Sequence, residues 1–334
     1  MLKKIKRVSS GSEDGELNLD EEVLVRVSWL YYFEDLTQQE IADKLNLSRP
    51  KVGRLLAKAR QTGIIEIRLS PRINSLNLPL EDELEKRFGL KEAWVVDSGE
   101  DRDTLYRNMG RAGARFLERN LSDNFTLGIA MGTSVSAIVP YLHHRQVSRG
   151  TLITLSGGFT QPGHDTSGYN TSWPMAESLG ARLEQLFCPL VADSQETRDA
   201  ILGDPNMSRQ LSRAAGVDMA IVSIGYVHMD MPLRRLGFCS RKDIEVLLEA
   251  GAVGEIITSF CDLDGNIIKS DLDERMIGLH IDELKKVPTT VAISGGLEKT
   301  KAILGALRTR CLDVIITDLR TAEAVLKLDD ETRK

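Results

Sequence analysis

TQQEIADKLNLSRPKVGRLLAKAR, residues Thr37–Arg60, carries two helix starts in quick succession. Thr37-Gln38-Gln39-Glu40 has the form of a capping box: the Thr37 hydroxyl can accept the Glu40 backbone N–H, and the Glu40 carboxylate can reach back. Ile41, Ala42 and Leu45 then share one face, and Asn46-Leu47 makes a short turn. Ser48 is a good N-cap, and Pro50 sits in a first turn where a missing N–H costs little. Val52, Leu55, Leu56 and Ala59 form the next apolar face, and Gly63 is placed to end the helix. Ser48 to Arg60 holds five cations (Arg49, Lys51, Arg54, Lys58, Arg60) and no acid. Two short helices joined by a tight turn, the second basic on its exposed side, are what a helix-turn-helix needs; its second helix enters the major groove. The candidate DNA contacts are Gln38, Ser48, Arg49, Lys51, Gly53, Arg54 and Lys58. Arg49 and Arg54 suit bidentate pairing with guanine, and Gly53 removes a side chain where helix and DNA approach closely. The alternative is an ordinary helical hairpin with a solvated basic face.

Upstream, residues 1–20 show mixed charge and no periodicity, as expected of a mobile tail. From Glu21 the pattern is helical, with Val23, Val27, Leu30 and Tyr31 on one stripe. That stripe either packs on the two helices that follow or pairs with another subunit. Downstream, Ile64–Leu69 reads as a short strand and Pro71–Pro79 as a polar linker. The expected domains are therefore a helix-turn-helix unit over 21–70, a linker over 71–80 and a second domain over 81–334.

Past a helical Glu81–Phe88, apolar strand-like runs alternate with helical segments: Ala93–Val96, Thr126–Ala130, Thr151–Leu155, Leu186–Val191, Met219–Gly225, Thr290–Ser294 and Val314–Thr317. Near-continuous apolar strands between helices predict a doubly wound parallel sheet in an α/β domain. Ile256–Ile268, with Asp264-Gly265 between apolar runs, predicts a hairpin insertion. Three strand ends run into glycine: Gly128 to Ser134 (with Gly132, Thr133 and Ser134 opening a helix), Ser156-Gly157-Gly158, and Ser294-Gly295-Gly296 followed by Lys299. Ligands of such sheets bind at the carboxyl ends of the strands, so these loops converge on a small anionic ligand, with ordinary βα turns as the alternative.

The chain has 334 residues, 42% hydrophobic and 28% charged, which suits about two globular domains and excludes wholesale disorder. The net charge of −6 argues against a generic nucleic-acid binder, but residues 1–70 balance at +1 and the remainder at −7. The start is basic but has no apolar segment of a secretory signal, and the uncharged run Asn124–His144 is broken by Gly128, Gly132 and Pro140, so no membrane partner is expected. Cys188, Cys239, Cys261 and Cys311 are scattered and read as buried thiols of a cytoplasmic protein. Asp262-Leu263-Asp264-Gly265 has its glycine too early for a calcium loop, and the five histidines have no metal-ligand spacing, so no metal and no cofactor are expected.

These residues resemble the SorC/DeoR-type sugar-binding transcriptional regulators over nearly the whole length. The likeness rests on Trp29-Leu30-Tyr31-Tyr32, Leu36–Ala42, Leu47–Leu56 and Gly63-Ile64-Ile65, and on Ser294-Gly295-Gly296, Lys299, Ala302-Ile303, Ala306-Leu307-Arg308 and Ile316-Thr317-Asp318. It implies a winged helix-turn-helix joined to a phosphosugar-isomerase-like Rossmann effector domain, in dimers or tetramers. It also implies effector contacts at Gly132, Thr133, Ser134, Gly157, Gly158, Asp262 and Lys299, with Gln161 and His164 of the Phe159–Trp173 loop as hydroxyl partners. The resulting expectation is a regulator of a carbohydrate or polyol operon, binding operator DNA and a sugar, polyol or sugar-phosphate effector. Thr133, Ser134 and Lys299 would hold a phosphate, and Asp262 the hydroxyl end. The rival is a phosphosugar isomerase or deaminase with an added DNA-binding head, for which the sequence offers no convincing acid–base pair.

Overall fold

A computed structural model describes residues 19–65, 77–142, 149–158 and 171–333. The chain divides at Asn74–Ser75 into two compact units. Among the described residues, the first unit is three helices: α1 (Leu19–Tyr32), α2 (Gln38–Leu45) and α3 (Arg49–Gln61). Val27, Leu30, Ile41, Ala42, Val52 and Leu56 form its buried core, with Val23, Tyr31, Leu45 and Leu55 packed against it. The α1 stripe is thus used inside the unit. The exposed large apolar side chains here are Val25 and Trp29 of α1 and Phe33 just past its end, and the last two stack with ring centroids 4.3 Å apart. Apart from Ile64 and Ile65, the strand expected at Ile64–Leu69 lies outside the described residues, as do the tail over 1–18 and the linker over 71–76.

The second unit opens with α4 (Leu78–Phe88), which begins inside the stretch expected as linker; Pro79 sits in its first turn, where no N–H is needed. The strands follow as β1 (Glu92–Val96), β2 (Thr126–Ile129), β3 (Thr151–Thr154), β4 (Arg182–Glu184), β5 (Met219–Val222), β6 (Ile224–Tyr226), β7 (Gly254–Ile256), β8 (Ser259–Cys261), β9 (Ile267–Ile268), β10 (Thr290–Ile293) and β11 (Val314–Asp318). Among the described residues, seven of them form one parallel sheet in the order β1-β11-β10-β5-β2-β3-β4. Alternate residues face opposite layers. Ala93, Val95, Ala220, Ala292 and Ile315 meet α4 and the helices Thr300–Arg308 and Leu319–Thr332. Leu127, Ile129, Ile221, Ile293 and Ile316 meet α5 (Arg102–Asn120). Both faces are covered, which is why these strands read as apolar runs rather than as alternating patterns.

Two expectations need correction. Leu186–Val191 is not a strand: it makes only isolated bridges, Gly158 with Pro189 and Val191 with Met276, because Pro189 has no N–H for a ladder. The sheet's edge is instead the polar Arg182-Leu183-Glu184. The run Met219–Gly225 breaks at Ser223, so that β5 stays in the parallel sheet while β6 starts a second one. That second sheet is antiparallel, in the order β6-β7-β8-β9, and the hairpin expected at Ile256–Ile268 is its larger part.

Candidate functional site

In the first unit the local chemistry follows the sequence closely. The Glu40 N–H donates to Thr37 Oγ1 at 3.3 Å and the Thr37 N–H to Glu40 Oε2 at 2.8 Å, completing the capping box. Asn46 takes the left-handed conformation that turns the chain towards α3. Ser48 holds the extended N-cap backbone, but its side chain makes no capping hydrogen bond. With Val52, Leu56 and Ala59 buried, Ser48, Arg49, Lys51, Arg54, Lys58 and Arg60 are exposed together. Gln38 and Gly53 are half-buried against each other: a Cβ on Gly53 would lie 3.6 Å from Gln38 Oε1, an ordinary contact. Nothing within the unit therefore demands glycine at position 53.

In the second unit the chain leaves β2 in one direction for β3 and β4, and returns to the other side of β2 for β5, β10 and β11. This is a topological switch point, where open α/β sheets form a crevice at the strand ends. A cleft of about 350 Å³ lies there, lined by Ala130–Thr133 after β2, Ser223–Tyr226 after β5, Arg102 and Tyr106 of α5, Ser156, Leu190, His228, Asp230, Arg235, Glu255 and Lys299. The β2 and β5 loops can meet because position 132 is glycine, where a Cβ would fall 2.2 Å from Ser223 Oγ.

One end of the cleft is cationic. The Tyr106 hydroxyl accepts from Arg102 Nη2 at 3.2 Å and from Thr133 Oγ1 at 3.3 Å, and the Arg102 guanidinium lies over the Tyr106 ring. Burial pushes the Tyr106 hydroxyl up, but the Lys299 charge and the bonds from Thr133 and Arg102 outweigh it and hold it below the usual tyrosine value. Lys299 is buried and donates from Nζ to Ile224 O at 2.9 Å; its burial lowers its proton affinity against the opposing pull of Tyr106, Glu298 and Glu255. In the wall formed by β7, burial pushes the Glu255 carboxyl up to about 7, with the Lys299 charge opposing. His228 stacks on Tyr226 at 4.1 Å, and burial holds its imidazole below its ordinary value, so it stacks mainly as a neutral ring near pH 7.

Of the sequence candidates, Gly132, Thr133 and Lys299 line the cleft. Ser134 is buried beside it, its Oγ without a hydrogen-bond partner. Gly157 and Gly158 are spent on backbone pairing, to Ile277 O at 2.9 Å and Cys188 O at 2.8 Å. Asp262 is placed in its own turn, where its carboxylate accepts from the Asp264 and Asn266 N–H groups and from Asn266 Nδ2. Gln161 and His164 lie outside the described residues. Thr133–Ser136 forms α6, a single helical turn with little dipole of its own, so the positive charge at this end of the cleft comes from Arg102 and Lys299. Arg102, Tyr106, His228, Arg235 and Glu255 were not singled out in the sequence. The signals were slight: an i, i+4 Arg–Tyr pair at the start of α5, and an acid inside the apolar Val253–Ile257 run.

A family model for a sugar-binding domain matches residues 74–327, and the model for region 4 of sigma-70 matches residues 29–62. The chain is 33% identical over 331 residues to the transcriptional regulator LsrR of Enterobacter sp. (strain 638), covering 97% of this chain and 98% of that protein. It is 30% identical over 307 residues to the deoxyribonucleoside regulator of Bacillus subtilis (strain 168), covering 92% and 97%. The crystal structure of the full-length sorbitol operon regulator SorC from Klebsiella pneumoniae superposes with a TM-score of 0.69 at 27% identity, covering 93% of this chain and all of that one. Among the described residues no helix is long and apolar enough to cross a membrane, and no group of three metal-ligating side chains occurs.

Proposed function

The chain belongs to the family of SorC-type sugar-binding transcriptional regulators, and from that premise we propose that it reads operator DNA with α3 and answers to a carbohydrate or polyol, free or phosphorylated, held in the switch-point cleft. The observation that carries the effector reading is the polarity of the cleft: Arg102, Tyr106, Thr133 and Lys299 gather at one end, and Glu255 stands in the wall. The cationic group suits a phosphate or other anion, and the acid suits hydroxyls. Relatives named for deoxyribonucleosides and sorbitol support that ligand class. Gly132 shapes the pocket, and His228 on Tyr226 offers a flat apolar wall to a sugar ring. Arg49 and Arg54 read base edges while Lys51 and Lys58 meet phosphates. Two heads, supplied by a homodimer or homotetramer in the cytoplasm, would engage two half-sites. The protein acts by binding, without turnover.

A thermal-shift panel of sugars, polyols and their phosphates tests this. A true effector at 100 times its dissociation constant stabilises by about 2.7 kcal/mol. Calorimetry on Lys299→Ala should show a larger loss for the phosphorylated form than for its parent, whereas Glu255→Gln should weaken both alike. Equal losses for both forms in Lys299→Ala would refute the phosphate assignment. Conversion of a panel compound into product would replace the regulator reading of the cleft with the enzyme reading.

A further inference from the structure

The C-terminal motif Ile316-Thr317-Asp318 ends β11, and β11 lies between β1 and β10. Because the three strands are parallel, Asp318 emerges between the loop after β1 and the loop after β10. Those loops lead to the two cations of the cleft. The first runs through Ser98 to Arg102 at the start of α5, and the second through Gly296 to Lys299. Asp318 is 2% exposed and bonds to both. Its Oδ1 accepts from Ser98 Oγ and from the Thr321 N–H at 3.2 Å; its Oδ2 accepts from Thr321 Oγ1 and from the Gly296 N–H at 3.0 Å. Gly296 also donates to Thr321 Oγ1 at 2.8 Å, so the carboxylate and the Thr321 hydroxyl grip one amide together. The Lys299 N–H in turn donates to Gly296 O at 2.9 Å.

Capping the C-terminal helix requires only the bond from Thr321 N–H. The bonds to Ser98 and Gly296 reach beyond the helix, to the elements that present Arg102 and Lys299. We propose that Asp318 is the positioning residue of the cationic end of the cleft, its carboxylate clamping the Ser98 loop and the Gly296 turn so that Arg102 and Lys299 face one anionic group. The proposal rests on the anion reading of that end. Asp318 touches no ligand itself; it fixes the spacing of the groups that do, as an outer hydrogen-bonding shell does for a binding constellation.

The test is calorimetry on the full chain with inorganic phosphate as the probe, at matched ionic strength. Asp318→Asn keeps the shape and the cap acceptor but turns an NH2 towards the Gly296 N–H. It should weaken phosphate by about tenfold, the scale of one lost bond to a charged group. Thr321→Val, which removes the second acceptor of Gly296, should weaken phosphate too, and Thr321→Ser should restore it. A dissociation constant read on folded protein does not move with general destabilisation, and the valine–serine pair decides the matter if Asp318→Asn does not fold. Amide exchange at Gly296 should quicken in the two weakened variants. Wild-type phosphate affinity in Asp318→Asn and Thr321→Val, beside a loss in Lys299→Ala, would overturn the clamp and leave the anion reading standing. No phosphate binding by the wild type would overturn both.

Discussion

Glu255 holds its proton more tightly in the folded chain than an unfolded glutamate would, with its carboxyl at about 7 against an ordinary 4.5. Between those two values the unfolded chain releases a proton that the folded chain retains. The stabilising contribution is therefore fully present below the unfolded value and is lost as pH rises through the folded one. Glu255→Gln removes the charge and keeps the shape. Without effector, its melting temperature should fall less than that of the wild type between about pH 5 and pH 8. Parallel curves for the two proteins would sink the assignment. The same residue shows where sequence reading lost the site. It placed the acid of the pocket at Asp262, but a carboxylate followed by Asp264 and Asn266 satisfies its own turn first, as short polar side chains do. Glu255 sits in a three-residue strand, too short to show a period.

At the scale of elements, legibility followed burial. The capping box, Pro50 in the first turn of α3 and the doubly covered strands were all visible, because cap chemistry and two-sided burial each leave a pattern in a few consecutive residues. The edge strand β4 was not, since Arg182 and Glu184 pair on one side only and remain polar. The clustering of Arg102, Tyr106, Thr133, Glu255 and Lys299 was also hidden, because it depends on strand order rather than on spacing. The exposed face of α3 yields a sharper test than charge alone. Arg49→Ala and Arg54→Ala should each weaken operator binding by about 1–3 kcal/mol if the side chain reads a base, while Lys58→Ala should reduce the salt slope by about 1 across sequences. Gly53→Ala separates packing from contact. The unit has room for the methyl, so α3 should gain up to about 1 kcal/mol in stability. A loss of operator affinity in that stabilised variant would place the DNA surface against position 53. Gel-shift titrations at two salt concentrations, with melting curves alongside, read all four variants; unchanged affinity in both arginine variants would remove α3 from the groove.

At the scale of the molecule, two units with separate cores divide the work. The first carries a charge balance of +1 over residues 1–70, with five cations and no acid over Ser48–Arg60, and the rest of the chain carries −7, so the proposed attraction to DNA falls to the first unit. An effector changes operator affinity only through a difference in its own affinity for the DNA-competent and incompetent states, typically about 5–150-fold. Lys299 lies in the second unit, while α1, α2 and α3 are held by their own apolar core. Lys299→Ala should therefore leave operator affinity without effector unchanged and move the effector titration of DNA binding to higher concentration. Fluorescence anisotropy of labelled operator, titrated with protein and then with effector, measures both quantities on one sample. An altered operator affinity with no effector present would show that the empty cleft already sets the DNA-binding state, and that Lys299, buried against Ile224 O, takes part in the switch as well as in holding the ligand.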